Sequence, residues 1–329
     1  MKLDRVGVVG AGSFGTALAQ VAARHGGETL LWARNPALAE AINSTHQNAE
    51  YLPGQPLHPS LRATCDLADL ADCDVWLMVT PAQAMRATLD LAPAKPPALI
   101  LCSKGIEMET GKLLNEVAAD AAPGASIGVL SGPSFADEVA AGMPTAVTFA
   151  SRELEFCEGV QSRMSGPTFR IYCTDDVIGA EVGGAVKNVL AIACGVVEGR
   201  GLGESARAAL IARGYAEMSR FAENIGGRRE TLSGLSGLGD LVLTCSSTSS
   251  RNFSLGKGLG EGRTAAELLS NRHSVAEGAF TAPVLARLAA ERGVDMPVVA
   301  AVDDLLADRL TVDQVLERLM ARPTRPESA

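Results

Sequence analysis

The stretch RVGVVGAGSFG, residues 5–15, decides the fold of this 329-residue chain. Its first five residues are mostly apolar, as in a strand that is buried on both faces of a parallel sheet. Gly10, Gly12 and Gly15 then form a G-x-G-x-x-G pattern, and an alanine-rich helical segment follows. This order of strand, glycine-rich turn and helix predicts a turn that binds the pyrophosphate of a dinucleotide. An ordinary glycine-rich turn is the alternative.

The same region has a second interpretation. Residues 6–23 carry no charge and follow Lys2 and Arg5, as in a signal peptide or a membrane span. Four glycines and several polar residues interrupt the run, and Asp4 weakens its basic flank. We therefore expect no stable membrane insertion.

The composition excludes several classes of protein. Hydrophobic residues make up 47% of the chain, which is enough for a sizeable core and argues against disorder. The net charge of −9 argues against a nucleic-acid-binding protein. Seven scattered cysteines and four histidines show neither C-x-x-C nor metal-ligand spacing. We expect reduced thiols, no metal site and a cytoplasmic location.

The pattern of apolar residues changes along the chain. Short apolar runs begin at residues 5, 28, 75, 98 and 126 and alternate with helical stretches, which predicts a doubly wound α/β domain. After about residue 176 nearly all periodic segments read as helices. We predict the fold class α/β, with a Rossmann-like doubly wound parallel sheet in residues 1–178 and a mostly helical substrate domain in residues 179–329.

Arg34 stands where dinucleotide sites often carry an acid. It follows the second predicted strand by two residues and the glycine motif by about twenty. An acid at this position binds the ribose 2′-hydroxyl of NAD, whereas an arginine accommodates the 2′-phosphate of NADP. We expect NADPH to be accepted, with a solvated arginine as the alternative.

Two further strand ends carry polar groups. Ligands of open parallel sheets bind beyond the carboxyl ends of the strands. Lys104 follows the run at residues 98–102 and is placed to meet an anion or to polarise a carbonyl. Ser134 follows the run at residues 126–130, and together with Asp137 it also fits a helix-capping box.

Lys187 lies in the middle of an apolar helix predicted over residues 176–198. Its face of the helix carries small residues, including Gly183 and Gly184, which indicate a demand for space. That space serves either helix packing or a substrate beside the ammonium group. Burial lowers a lysine pKa toward neutrality, which suits acid–base catalysis.

The segment at residues 233–252 is rich in glycine, serine and threonine and contains Asp240 and Arg251. Its composition fits a flexible linker. It equally fits a phosphate-binding cradle, in which hydroxyl and amide donors surround one arginine.

Taken together, these motifs resemble the bacterial-type NAD(P)-dependent glycerol-3-phosphate dehydrogenase family over nearly the whole chain. The motifs that carry the resemblance are GAGSFG (10–15), WARN (32–35), YLPG (51–54), CSKGIE (102–107), LSGPSFA (130–136), KNV (187–189), GLGDL (237–241), SRN (250–252), VAEG (275–278) and Met296-Pro297.

The resemblance implies reversible reduction of dihydroxyacetone phosphate to sn-glycerol 3-phosphate with NADPH or NADH, a step that serves phospholipid synthesis. It implies that Lys187 is the catalytic proton donor in reduction and the acceptor in oxidation. It further implies substrate contacts at Lys104, Gly132, Ser134, Lys187, Asp240, Ser250, Arg251 and Asn252. The implied cofactor contacts are Gly10, Gly12, Ser13, Phe14, Gly15, Arg34, Tyr51, Lys104, Ala136, Arg251, Val275 and Glu277.

Two other functions compete with this one. A ketopantoate-reductase-like enzyme explains the glycine motif and Lys187, but not the serine–arginine–asparagine cradle. A non-catalytic NADPH sensor has no need of a lysine above a small-residue pocket. A small-molecule substrate is the expected partner, and a homodimer is compatible with the sequence.

Overall fold

A computed structural model describes residues 1–270 and 276–323 of the chain. One eight-stranded sheet forms its first half, in the order β3-β2-β1-β4-β5-β6-β7-β8. All neighbouring strands run parallel except β6 and β7, which pair antiparallel. The strands are β1 (Arg5–Val9), β2 (Glu28–Trp32), β3 (Arg62–Thr64), β4 (Val75–Met78), β5 (Ala98–Leu101), β6 (Ser126–Ser131), β7 (Thr145–Ala150) and β8 (Phe169–Thr174).

Helices cover both faces of this sheet. One apolar cluster joins it to α1, α2, α5 and α6, and a second joins its other face to α3 and α4. These helices are α1 (Ser13–Arg24), α2 (Pro36–Thr45), α3 (Met85–Leu91), α4 (Leu114–Ala121), α5 (Ala136–Ala141) and α6 (Leu154–Met164). The predicted Rossmann-like, doubly wound architecture is therefore confirmed.

The rest of the described chain is helical and surrounds one buried helix, α7 (Val177–Gly199). The domain boundary at residue 178 stays a prediction, with the last strand ending at residue 174. The helices that follow are α8 (Glu204–Asn224), α9 (Arg229–Leu232), α10 (Asp240–Cys245), α11 (Arg251–Gly260), α12 (Ala265–Ser270), α13 (Glu277–Glu291), α14 (Pro297–Leu306) and α15 (Val312–Met320).

Glycines allow α7 and α11 to cross in close contact. A Cβ on Gly195 of α7 would lie 2.1 Å from the carbonyl oxygen of Phe253, and one on Gly256 would lie 1.9 Å from that of Ile192. Neither backbone leaves room for a side chain at the crossing. This contact fixes where the first residues of α11 lie relative to Lys187.

The apolar run at residues 6–23 forms β1, the glycine-rich turn and most of α1. Of the described helices, α7 alone is long and apolar enough to cross a membrane, and 94% of its apolar window is buried within the fold. A core helix of this kind satisfies the same length and composition test as a membrane span.

The prediction of reduced thiols is wrong for one pair of cysteines. Cys157 of α6 and Cys173 of β8 form a disulfide, with their Cα atoms 6.2 Å apart. Sixteen residues separate them in sequence, and the bond depends on the packing of α6 against the edge strand β8. Their spacing alone gave no sign of this.

Candidate active site

The three motif glycines meet different surroundings. Gly10 has a φ of +119°, and a Cβ on Gly15 would lie 1.8 Å from the carbonyl oxygen of Gly10. The backbone of the turn therefore requires both glycines. A Cβ on Gly12 would meet no described atom within 4 Å, so this residue borders open space at the start of α1. A helix N-terminus that borders open space fits a pyrophosphate, because its first amides lack intrahelical acceptors.

Other predicted cofactor residues adjoin this turn. The Ser13 hydroxyl donates a hydrogen bond to the carbonyl oxygen of Tyr51 at 2.6 Å, and Phe14 packs against the core beneath. A hydrogen bond with Glu50 raises the pKa of the Tyr51 hydroxyl, burial adds to this, and the charge of Arg34 opposes it. Arg34 and Tyr51 are therefore close enough to interact at the exposed edge beyond β2.

The centre of the site is a chain of three charged side chains. The Lys187 ammonium donates to Asp240 Oδ1 at 2.5 Å and to the Thr244 hydroxyl at 3.1 Å. Lys104, which follows β5, donates to Asp240 Oδ2 at 2.6 Å. A single buried carboxylate thus joins a lysine of the Rossmann-like half to a lysine of the helical half.

Burial and charge determine how these groups titrate. Burial lowers the pKa of Lys187 to about 7; Asp240 opposes this effect, and the like charge of Lys104 adds to it. Burial alone would raise the pKa of Asp240, but the two ammonium groups outweigh it and hold that pKa below its ordinary value. The site therefore contains a carboxylate that stays ionised and a lysine that exchanges a proton near neutral pH.

The two glycines of α7 make this arrangement possible. A Cβ on Gly183 would lie 2.3 Å from the carbonyl oxygen of Ser236, in the turn that leads to Asp240. A Cβ on Gly184 would lie 3.1 Å from Ser131 Oγ and 3.4 Å from the Lys104 chain. Protein atoms occupy the space that the sequence indicated, so packing is the correct interpretation of both glycines.

The turn before Asp240 has an unusual backbone. Residues Leu235–Gly239 form one π-helical turn, and the Gly239 amide donates to the carbonyl oxygen of Gly234 at 3.1 Å. Such turns occur often at functional sites. Here the turn delivers Asp240, which is 1% exposed, to the first position of α10.

The segment after β6 reaches the same sheet edge. Gly132 has a φ of +151°, and a Cβ there would lie 2.9 Å from the Cα of Val147. The Ser134 hydroxyl donates to the carbonyl oxygen of Gly132 at 3.0 Å. The predicted capping box of Ser134 and Asp137 is wrong, because α5 begins at Ala136 and its N-cap position is Phe135.

Residues 250–252 begin α11, so the linker interpretation of this segment is wrong. Ser250 is the N-cap, and its hydroxyl accepts a hydrogen bond from the Phe253 amide at 3.2 Å. The Asn252 side chain donates to Asn188 Oδ1 at 2.9 Å and accepts from the Gly278 amide at 2.9 Å. These side-chain bonds join α7, α11 and α13, while Arg251 occupies the first helical position.

Glu277 connects the two halves at a second point. It is the first residue of α13, and its Oε1 accepts a hydrogen bond from the Ala82 amide at 3.2 Å, beyond β4. Burial raises the pKa of this carboxyl, although the bond from Ala82 and the charge of Arg251 act against that change. Val275, also predicted as a cofactor contact, lies outside the described residues.

Thr244 belongs to this site but received no role of its own in the sequence analysis. Its hydroxyl accepts from Lys187 and donates to the carbonyl oxygen of Asp240 at 2.6 Å. The signal was present, because residues four apart on a helix share one face. Among the described residues, no group of three potential metal ligands is found.

Comparison with known proteins identifies the family. Residues 5–157 match the family model for the N-terminus of NAD-dependent glycerol-3-phosphate dehydrogenase, and residues 176–317 match the model for its C-terminus. The chain is 58% identical to a glycerol-3-phosphate dehydrogenase (NAD(P)+) from Erythrobacter litoralis, over 98% of this chain and 97% of that protein. It is 53% identical to one from Caulobacter vibrioides, with both chains covered completely.

A solved structure agrees with this assignment. The glycerol-3-phosphate dehydrogenase of Coxiella burnetii superimposes with a TM-score of 0.92 at 39% identity, over 98% of this chain and 99% of that one. Together the two family models cover both halves of the chain, and their matched ranges include Lys104, Lys187 and Asp240. The chain therefore belongs to the NAD-dependent glycerol-3-phosphate dehydrogenase family.

Proposed function

We propose that this chain reduces dihydroxyacetone phosphate to sn-glycerol 3-phosphate, with Lys187 as the acid that protonates the developing alkoxide. Family membership confirms the predicted enzyme class, an oxidoreductase that uses NAD or NADP, and it argues against the ketopantoate-reductase alternative. The role of each residue is our proposal. The observation that carries it is the buried Lys187 ammonium, which donates to Asp240 Oδ1 at 2.5 Å and whose pKa is lowered by burial to about 7.

The glycine-rich turn is proposed to hold the cofactor. Open space beside Gly12 and the free amides at the start of α1 fit a pyrophosphate. Arg34 and Tyr51 would flank the adenosine end, where Arg34 would meet the 2′-phosphate of NADPH. The bound cofactor supplies a hydride to the substrate carbonyl carbon.

The substrate phosphate is assigned to the start of α11. The Arg251 guanidinium matches phosphate geometry, and the first two amides of this helix lack intrahelical acceptors, whereas the third, that of Phe253, is bonded to Ser250. The Asn252 side chain is engaged with Asn188 and Gly278, so we propose that Asn252 contributes its backbone amide. Ser250 shapes the N-terminus as its cap, and Gly132 and Ser134 would border the substrate from the sheet side.

The proton step then follows from the linked side chains of Lys104, Asp240 and Lys187. When hydride reaches the carbonyl carbon, the π electron pair of the carbonyl moves to oxygen. The Lys187 ammonium gives that oxygen a proton and becomes a neutral amine. Asp240 stays ionised throughout, and Lys104 orients the reacting end of the substrate. In the oxidation direction the neutral Lys187 amine takes the hydroxyl proton.

The test is oxidation of NADPH and of NADH in the presence of dihydroxyacetone phosphate. We expect Lys187→Met to reduce kcat by ~10²–10⁴-fold, the range typical of general acid–base catalysis. Cofactor affinity, measured by direct titration, is expected to stay unchanged. If the unaltered protein binds cofactor but turns over no substrate with either nucleotide, the proposal fails and a cofactor sensor becomes the better interpretation.

Location and assembly complete the proposal. We place the enzyme in the cytoplasm and propose that it forms a homodimer, an assembly with which the sequence is compatible. The supporting observation for assembly is a set of apolar side chains on α10 and the turn before it, where Leu238 and Val242 are 39% and 46% exposed. Sedimentation equilibrium at micromolar concentration distinguishes a dimer from a monomer.

A further inference from the structure

Asn48 lies in the segment between α2 and β3, three residues before Tyr51, and had no predicted role. It is 0% exposed, although asparagine is mostly found at protein surfaces. A buried carboxamide needs hydrogen-bond partners for both of its ends. The partners that Asn48 finds are parts of the cofactor turn.

Three hydrogen bonds involve the Asn48 side chain. Its Nδ2 donates to the carbonyl oxygen of Ala11 at 2.9 Å and to the Thr16 hydroxyl at 2.8 Å. Its Oδ1 accepts from the Tyr51 amide at 3.2 Å. Since Ser13 also bonds the Tyr51 carbonyl oxygen, two side-chain contacts tie this segment to the glycine-rich turn.

The bond from Asn48 to Ala11 affects how well the glycine-rich turn can bind an anion. A glycine-rich turn binds a pyrophosphate through its amides, and a carbonyl oxygen that rotated toward the anion would repel it. The buried Ala11 carbonyl oxygen, between Gly10 and Gly12, is held by the 2.9 Å bond from Asn48 Nδ2 and by a longer bond from the Thr16 hydroxyl at 3.4 Å. The same bonds keep Tyr51 next to the turn, on the side where Arg34 lies.

We propose that Asn48 is a positioning residue for the dinucleotide: its carboxamide fixes the Ala11 peptide and the Tyr51 segment so that the turn is preorganised for the pyrophosphate. This inference rests on the proposed cofactor site at Gly10–Gly15. It concerns the part of the cofactor that NADH and NADPH share. Asn48 therefore affects affinity for both nucleotides and leaves the proton step at Lys187 untouched.

The chain offers a matched control in Gln20 of α1. Gln20 is 2% exposed and anchors the far end of the same segment: its Nε2 donates to the carbonyl oxygen of Pro56 at 3.0 Å, and its Oε1 accepts from the His58 amide at 2.6 Å. Both residues are buried amides that hold one loop, but the hydrogen bonds of the Gln20 side chain to Pro56 and His58 do not involve the turn. If Asn48 contributed to stability alone, Asn48→Ala and Gln20→Ala would have equal effects on nucleotide Kd.

The experiment is a direct titration of NADH and NADPH fluorescence with Asn48→Ala, Gln20→Ala and Thr16→Val, without substrate. We expect Asn48→Ala to raise Kd by about 10-fold for both nucleotides, because the Ala11 carbonyl oxygen then keeps only the longer bond from the Thr16 hydroxyl, at 3.4 Å, and can turn toward the pyrophosphate. Gln20→Ala is expected to lower Tm with little change in Kd. Thr16→Val is expected to raise Kd less and to be non-additive with Asn48→Ala, because the two residues share a bond.

Kinetics separate this role from catalysis. With Asn48→Ala, the KM for either nucleotide is expected to rise while kcat and the KM for dihydroxyacetone phosphate stay near those of the unaltered enzyme. An unchanged Kd in folded Asn48→Ala overturns the inference, as does an equal rise in Gln20→Ala. If Asn48→Ala does not fold, an unchanged Kd in Thr16→Val overturns it. Because binding is measured without turnover, failure of the proposed reaction is distinguishable from failure of this inference.

Discussion

Lys187 lies between charges of opposite sign, so two substitutions should move its pKa in opposite directions. Asp240 stabilises the ammonium form, and Lys104 destabilises it. We expect Asp240→Asn to lower the pKa of Lys187 below about 7 and Lys104→Met to raise it above that value. Reduction needs the ammonium form, so kcat/KM for reduction falls as pH rises through the pKa of Lys187.

The size of the change follows from the distances. At 2.5 Å between Lys187 Nζ and Asp240 Oδ1, two unit charges in a medium of effective dielectric constant ~20 attract by roughly 6–7 kcal/mol, an upper bound for this pair. Opposite charges this close usually change a pKa by ~1–3, so the descending limb in Asp240→Asn should lie about one to three pH units lower. Lys104 bonds the far oxygen of the same carboxylate, so the opposite displacement in Lys104→Met should be smaller.

The assay is kcat/KM for reduction of dihydroxyacetone phosphate between about pH 4 and 9, at a saturating concentration of cofactor. Ionisation of the substrate phosphate is common to all variants and cancels in the comparison. Lys112→Met is the control, because this lysine is exposed and pairs with Asp120 away from the site. Displacement of both profiles in the same direction, or no displacement in either, would refute the assignment of the limb to Lys187.

Four further outcomes are expected. Gly12→Ala should raise the KM for both nucleotides without lowering Tm, since its Cβ would meet no described atom within 4 Å. Gly15→Ala should instead destabilise the fold, because its Cβ would lie 1.8 Å from a carbonyl oxygen. Thermal melts and steady-state kinetics check both expectations. Arg34→Ala should raise the KM for NADPH at least ~10-fold and leave that for NADH unchanged, which steady-state kinetics with each nucleotide test. Arg251→Ala should raise the KM for dihydroxyacetone phosphate by ~10–100-fold, the loss of a charge-assisted hydrogen bond, and an unchanged KM would argue against the phosphate site. Burial raises the Glu217 pKa from 4.5 to about 7, so its contribution to stability declines as pH rises between these values; denaturant melts of Glu217→Gln should lack that decline.

The runs of apolar residues predicted five of the eight strands. The strands at residues 5–9 and 28–32 match the structure residue for residue. Of these two, only β1 is buried nearly throughout, as expected of a central parallel strand, whereas burial alternates along β2. The edge strand β8 was not predicted, since its alternate residues Arg170 and Tyr172 face solvent and interrupt the apolar pattern. Helix α11 was missed for a different reason, because three glycines lower its intrinsic helix propensity and its packing against α7 compensates.

The same distinction applies to the site. Lys187 could be proposed from sequence because it interrupts an apolar helix. Lys104 could be proposed because it follows a predicted strand, at the sheet edge where ligands bind. The family resemblance named Asp240 as a substrate contact, but its pairing with both lysines could not be predicted, since Asp240 is 53 residues from Lys187 and 136 from Lys104. Asn48 and the Cys157–Cys173 bond likewise depend on which segments the fold brings together.

Asp240, shared by two lysines, sets the local charge at which this protein of net charge −9 would bind an anionic substrate beside an anionic cofactor. With Lys187 protonated, the chain of Lys104, Asp240 and Lys187 carries one positive charge, not two. Giving a proton to the alkoxide leaves this buried group neutral, so reduction leaves no unpaired charge in the interior. Regaining that proton from solvent near pH 7 restores the positive charge before the next substrate binds, and a lysine of ordinary pKa would give up its proton far less readily. Burial of Lys187 and its pairing with Asp240 therefore act together, one bringing its pKa to neutrality and the other keeping the ammonium form available there.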